Sequence, residues 1–415
     1  MKVPVQVQVS GATDAHGPDP VALASIGRLA FFDPALSASG KLACSTCHDP
    51  RHAFAPANAL AVQLGGQDGR HQGTRSTPSL LYLQQTIPFV ERRFDDDDGG
   101  DADDAAPAGG MTWDGRVDTL HDQARLPLFD VNEMANTSPA GLRDRVRRAA
   151  WSAAFGTLAS APGRDVFDDP EEVVRWLTLA LEAYQQSSPE FQPFSSKYDA
   201  YLRKEVALSR QERRGLALFD DPEKGNCASC HPNTPSPRGV PPAFTDFGHV
   251  AIGVPRNDRL PANRDPQYFD LGLCGPARQD LVRHSDFCGA FITPTLRNVA
   301  TRHSFFHNGA FHSLREVLEF YVQRDTRPGR WYPVNRDGSV RKYDDMPPQY
   351  RDNVNAEIPF KPTASNRPRL NAREIDDLVA FLETLTDGYT VPRRRAAPDR
   401  TAALSTPAIQ PTPQN

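Results

Sequence analysis

Two five-residue stretches carry the chemistry open to this chain: Cys44-Ser45-Thr46-Cys47-His48 and Cys227-Ala228-Ser229-Cys230-His231. Two thiols three positions apart can form thioethers with the two vinyl groups of one haem. The adjacent imidazole is then held beneath the iron as an axial ligand. Two C-x-x-C pairs could instead combine into one tetrahedral zinc site of four thiolates. Zinc does not require a histidine directly after each pair, whereas haem attachment does. The sequence therefore reads as carrying two covalently bound c-type haems.

Whether such a chain only relays electrons or also reacts depends on the second axial position of each iron. Electron carriers often use a Met there, yet this chain has only Met1, Met111, Met134 and Met346, and Met346 alone follows the second motif. On a helix expected to open at Ser313, the residues Leu314, Val317, Leu318 and Tyr321 share one face. Tyr321 is thus turned to the buried side, as a core tyrosine or as an iron ligand. Nearer the first motif, Trp113-Asp114-Gly115-Arg116 is followed by Gln123, Pro127 and Glu133. In the plain reading Trp113 is core and Glu133 a surface carboxylate. In the chemical one, a carboxylate over an open ferric haem takes a proton from the near oxygen of H2O2 and returns it to the departing oxygen. An indole between two haems could relay an electron.

The elements that must position these groups are mainly helical, with little period-two alternation. The expected class is mainly α, as two cytochrome-c-like haem domains with long loops. At 415 residues two ordinary domains fit: 20–205 and 206–390, with the boundary between Phe194 and Ser209 and a disordered tail over 391–415. After a leader over 1–20, a helix over Val21–Phe32 should turn Leu23, Ile26, Leu29 and Ala30 inward. Asp169-Pro170-Glu171-Glu172, Ser209…Glu212, Ser313…Glu316 and Asn371…Glu374 mark further helix starts. The last opens a helix with Ile375, Leu378, Val379, Leu382 and Leu385 inward, closed by Gly388. Residues 55–80 read as Gly-rich loop. The acidic stretch 95–110 reads as a solvated loop or a docking tag for a basic partner.

A net charge of −5 makes no electrostatic case for nucleic acid. No apolar run approaches the roughly 18 residues of a membrane span. Haem c is attached outside the bacterial cytoplasm, which points to the periplasm. The residues Met1 to Gln6 lack the apolar core of an export signal, so a removed signal or another export route is implied. Cys274 and Cys288 remain after haem attachment, as a disulfide in an oxidising compartment or as two thiols.

The order of Cys44–His48, Trp113-Asp114-Gly115-Arg116, Gln123…Pro127…Glu133, Cys227–His231 and Thr293-Pro294-Thr295-Leu296-Arg297-Asn298…His307-Asn308-Gly309 resembles the bacterial di-haem cytochrome c peroxidase/MauG family, over roughly residues 20–390. The resemblance implies a high-spin, peroxide-reactive first haem with His48 proximal and Gln123, Pro127 and Glu133 distal. It implies a low-spin second haem on His231, with Trp113 between the two. Peroxidases of the family place a Met where this chain has Tyr321, and MauG-type members a Tyr, which makes Tyr321 the expected axial ligand of the second iron. The stretch from Phe320 to Pro328, Trp331-Tyr332-Pro333, and Asp376-Asp377-Leu378 through Tyr389 are similar to MbnH-like members, which oxidise a tryptophan on a partner protein. The function so implied is reaction with H2O2 to a high-valent di-haem state that oxidises residues, Trp foremost, of a periplasmic protein. The alternatives are a peroxidase fed by a small cytochrome or cupredoxin, and a non-catalytic di-haem electron carrier. The family also implies one Ca2+, held by an Asn and by backbone oxygens of a Thr-x-Pro. Here Tyr82 stands at the Asn position and Arg302-His303-Ser304 at the Thr-x-Pro. His71 lies where some peroxidases carry a loop histidine that ligates the first haem at rest.

Overall fold

A computed structural model describes residues 19–93 and 106–392. The leader up to residue 18, the acidic part of the 95–110 insert and the tail from 393 lie outside the described residues. Ten helices are described: α1 Pro20–Phe31, α2 Cys44–Cys47, α3 Leu120–Phe129, α4 Pro139–Arg148, α5 Ser152–Ala159, α6 Pro170–Ser187, α7 Lys197–Leu202, α8 Arg210–Asp220, α9 Leu314–Gln323 and α10 Ala372–Glu383. The strands described form three two-stranded antiparallel pairs. One of them, Leu64–Gly65 with His71–Gln72, interrupts the stretch expected to be loop. Another pairs Val90–Arg93 with Ala106–Ala108, so the end of the expected acidic loop is a strand rather than coil. Gly109 and Gly110 follow it, buried.

The two halves repeat one device. In the first, α1 crosses α6 so closely that a Cβ on Gly27 would lie 1.8 Å from the Ala180 carbonyl oxygen. In the second, α8 crosses α10, and a Cβ on Gly215 would lie 2.0 Å from the Asp377 carbonyl oxygen. Only glycine permits either approach. The crossing at Gly27 centres the buried stripe of α1 on Ile26, Gly27, Ala30 and Phe31. Leu29, expected inward, is therefore left 48% exposed. The first helix of each crossing precedes a C-x-x-C-H motif, whose first cysteine packs against the same core. The first core runs from Ile26 to Phe191 and the second from Tyr198 to Leu385. The short helix α7 packs with the second, although it precedes residue 206.

The helix starts follow their caps. Asp169, Ser209, Ser313 and Asn371 each accept a hydrogen bond from a first-turn amide through the side chain, worth roughly 1 kcal/mol apiece. The end of α10 was misplaced by sequence reasoning. It stops at Glu383, not at Gly388. The carbonyl of Thr384 is taken by the Tyr198 amide and that of Leu385 by the Asn298 amide, so tertiary bonds end the helix early.

Between the halves lies a buried ionic cluster. Arg297 donates to both oxygens of Asp199 (3.0 and 2.9 Å) and to the Pro242 carbonyl (2.7 Å). Its guanidinium stacks on the rings of Tyr82 and Phe194, 4.7 Å from each centroid. Asp387 accepts from the Tyr82 hydroxyl (2.6 Å), the Ser195 amide (2.9 Å) and the Asn298 amide side chain (2.6 Å). These bonds fix the two halves against each other. Cys274 and Cys288 form a disulfide.

Candidate active site

Each motif presents its histidine in the same way. The His48 amide bonds the Cys44 carbonyl at 2.9 Å and the His231 amide the Cys227 carbonyl at 2.8 Å. The Nδ1 of His48 lies 3.0 Å from the Phe54 carbonyl, and that of His231 2.8 Å from the Phe244 carbonyl. A carbonyl partner makes Nδ1 the donor and leaves the Nε2 lone pair free for a metal. Both phenylalanines adopt left-handed backbone (φ 50° and 56°), which bends the chain back toward its histidine. Burial lowers both imidazole pKa values to about 4, so each ring is neutral and able to ligate. Among the described residues no three His, Cys, Asp or Glu side chains gather as a metal cluster. The zinc alternative therefore fails, and the residues fit one covalent haem at each motif.

The second motif opens onto an apolar cavity of about 1410 Å³, open solvent at its mouth included. Cys227, Cys230 and His231 line it together with Leu314, Val317, Leu318 and Tyr321 of α9. The cap at Ser313 sets the start of α9, and the i, i+3, i+4, i+7 face is the one turned to the cavity. Desolvation raises the Tyr321 phenol well above its ordinary pKa, while the Arg324 charge draws it down. Arg324 is fully buried, bonded to the carbonyls of Ile252 (3.0 Å) and Asn355 (2.8 Å). It stacks on Phe360, whose ring is itself stacked on Tyr321. Met346 is buried elsewhere, against Gly289, and is absent from the described lining of this cavity.

On the first side, Gln123 and Pro127 sit four residues apart on α3 and hence on one face. The chain then folds back, with the Met134 amide on the Pro127 carbonyl (3.0 Å) and the Glu133 amide on the Asp130 carbonyl (3.0 Å). The Gly66 amide donates to the Glu133 carbonyl at 2.8 Å. These bonds bring the Glu133 segment back against the Pro127 end of α3, with Glu133 near enough to Cys44 and Cys47 for its charge to act on both thiols. Glu133 is exposed, with Asp130 and Arg116 near enough for their charges to act on its carboxyl. Desolvation first, then the Asp130 charge, raise its carboxyl to about 7, and Arg116 opposes them. A carboxyl poised there can both take and give a proton near neutral pH. His71 is exposed on the neighbouring hairpin, its ring against Gly66.

Trp113 is buried. It lines the second cavity, and its Nε1 donates to the Ser76 carbonyl at 2.7 Å. Ser76 lies two residues before Pro78, whose carbonyl lies against His48. The Trp113 loop is pinned through Asp114, fully buried, which takes 2.7 Å and 3.0 Å bonds from Arg75 and Arg116. Arg75 also grips both oxygens of Asp270 at 2.7 Å. Sequence reasoning missed the Phe54 and Phe244 carbonyls, Arg75 and Arg324. The carbonyl contacts have no side-chain signature, and the two arginines act across long sequence separations.

The expected calcium does not fit. The Tyr82 hydroxyl at the Asn position is committed to Asp387. The Ser304 carbonyl, one of the backbone oxygens required, accepts from Arg302 Nε at 3.3 Å, and Arg302 Nη2 reaches the Thr77 carbonyl at 2.9 Å. A guanidinium occupies the ground that six to eight oxygens would need.

Two C-x-x-C-H haem mounts, each with its histidine held by a backbone carbonyl, define a di-haem c-type protein. Residues 21–207 match the family described as di-haem cytochrome c peroxidase. The methylamine utilization protein MauG of Paracoccus denitrificans is 33% identical over 391 residues, 92% of this chain and 93% of that protein. The crystal structure of the diheme peroxidase BthA from Burkholderia thailandensis is 44% identical with a TM-score of 0.78, covering 89% of this chain and 87% of that one. A MauG-like protein associated with microbial copper homeostasis shares the fold at 24% identity and a TM-score of 0.59, over 92% and 96% of the two chains. The chain belongs to the di-haem cytochrome c peroxidase/MauG family, an H2O2-dependent oxidoreductase with two haem c groups. No helix among the described residues is long and apolar enough to cross a membrane.

Proposed function

We propose that this protein works in the periplasm and uses H2O2 to oxidise residues, tryptophan foremost, of a partner protein, in the manner of MauG and MbnH-like members. The observation that carries the reading is Tyr321 on the wall of the second haem cavity, with Met346 elsewhere. Bound haem would supply the redox chemistry, a two-electron reduction of peroxide matched by a two-electron oxidation of the partner. The protein's residues supply the rest. Glu133 takes the proton from the near peroxide oxygen and returns it to the departing one, Gln123 orients the substrate, and Pro127 shapes the wall. The balance is one H2O2, two protons and two electrons to two waters, the electrons leaving the partner's indole.

His48 and His231 would hold the irons of the two haems, and Tyr321 would serve the second; the first haem would then be high-spin and the second low-spin. A phenolate is a hard anionic donor that favours the ferric and higher states over the ferrous. The second haem is then a poor acceptor from a mild cytochrome donor and a good store for an oxidising equivalent, shared through Trp113. No activating reduction is needed. EPR of the resting ferric protein should show one high-spin and one low-spin signal. One equivalent of H2O2 should convert the diferric protein directly to a long-lived two-electron-oxidised form. Inertness until one-electron reduction would replace this reading by the second one, a peroxidase fed by a small redox protein. The diheme peroxidase name of the 44% identical structure favours that second reading.

A further inference from the structure

We infer that the Arg302 guanidinium takes the place of the divalent cation expected between the two haem sites, so that this protein carries its inter-haem positive charge as a side chain. Two observations support the assignment. First, Arg302 follows the 3₁₀ turn Val299–Thr301 and is clamped on two backbone oxygens from the two halves. These are Thr77, beside the first haem mount, and Ser304, three residues before His307 on the wall of the second cavity. Second, it is deeply set in protein without a carboxylate partner among the described residues, and burial alone lowers its pKa to about 10. The other deeply placed arginines at the junction, Arg75 and Arg297, each hold a carboxylate.

A guanidinium surrounded by protein without a counter-charge is costly to desolvate, so a group in this position calls for an anion. Two of its five N–H donors are used, and the propionates of bound haem are carboxylates that the remaining donors suit. The same charge repels Ca2+ from the Ser304 carbonyl. A guanidinium cannot be removed by chelation, so the device would be permanent where a metal ion is exchangeable.

The experiment uses the intact di-haem protein, and its readouts do not depend on which partner is oxidised. Wild type is dialysed against EGTA, its calcium measured by elemental analysis, and its resting EPR spectrum recorded with EGTA and with added CaCl2. The expected result is no stoichiometric calcium and superimposable spectra. Arg302→Ala should shift the EPR signal of the first haem, and Arg302→Lys should restore most of it. Stoichiometric calcium in wild type, a spectrum that changes on chelation, or an Arg302→Ala spectrum identical to wild type would each overturn the assignment. Should Arg302→Ala not fold, the wild-type calcium content and EGTA arm decide alone.

Discussion

Replacing Glu133 by Gln removes the proton carrier while keeping the size and hydrogen-bonding capacity of the side chain. The structure sets the scale. With the carboxyl raised to about 7 by desolvation and by Asp130, about half of the molecules hold Glu133 as carboxylate at pH 7. One unit lower, only about a tenth do. The carboxylate is the form that accepts the first peroxide proton, so the wild-type bimolecular rate with H2O2 should rise with pH, inflect near 7 and then level. It is lost as pH falls through that value. Loss of a positioned acid–base group costs roughly 10²–10⁴-fold, or about 2.7–5.4 kcal/mol of barrier. Glu133→Gln should fall in that range and lose the inflection, with haem content and resting EPR unchanged. Asp130→Asn removes the second cause of the raised value and should move the inflection to lower pH. Stopped-flow mixing of each diferric protein with H2O2 across pH 5–9 reads all three. A Glu133→Gln rate equal to wild type, or a wild-type profile flat through neutrality, would refute the assignment. A loss below about tenfold would hand the proton to water.

Tyr321→His should keep the second iron six-coordinate, as its low-spin EPR signal would show, yet abolish the long-lived oxidised form. Survival of that form would remove Tyr321 from the reading. Trp113→Phe leaves both haem mounts in place, so each resting EPR signal should persist while the oxidised form decays at least about tenfold faster, equivalent to about 1.4 kcal/mol. An unchanged lifetime would mean that the two irons share oxidation by another route. Asp199→Asn leaves Arg297 charged at a site where both partners are 1% exposed. Breaking such a pair costs about 3–5 kcal/mol, measurable by denaturant unfolding of the holoprotein, and a cost near zero would show that solvent reaches the pair.

The features legible in the sequence are those whose chemistry is local. A C-x-x-C-H needs no distant partner to declare a haem mount, and Asp169, Ser209, Ser313 and Asn371 start their helices through bonds that reach only two or three residues. Tyr321 could be placed on the inward face of α9 because helical geometry depends on spacing alone. The order of Trp113, Gln123, Pro127 and Glu133 carried the family resemblance, since their roles go with their places in the chain. Tertiary structure decided whatever depends on two segments meeting. The Phe54 and Phe244 carbonyls that orient His48 and His231 are backbone atoms, invisible in residue identity. Leu29 faces outward because Gly27, meeting the Ala180 carbonyl, sets the rotation of α1, and α10 ends where amides from Tyr198 and Asn298 take the carbonyls beyond it. Arg302 read as a lost calcium ligand, whereas in the folded chain its own charge lies across the Thr77 and Ser304 carbonyls. The reason is physical: a residue's type fixes the bonds that it can make, but which groups lie within reach is decided by how the two halves pack.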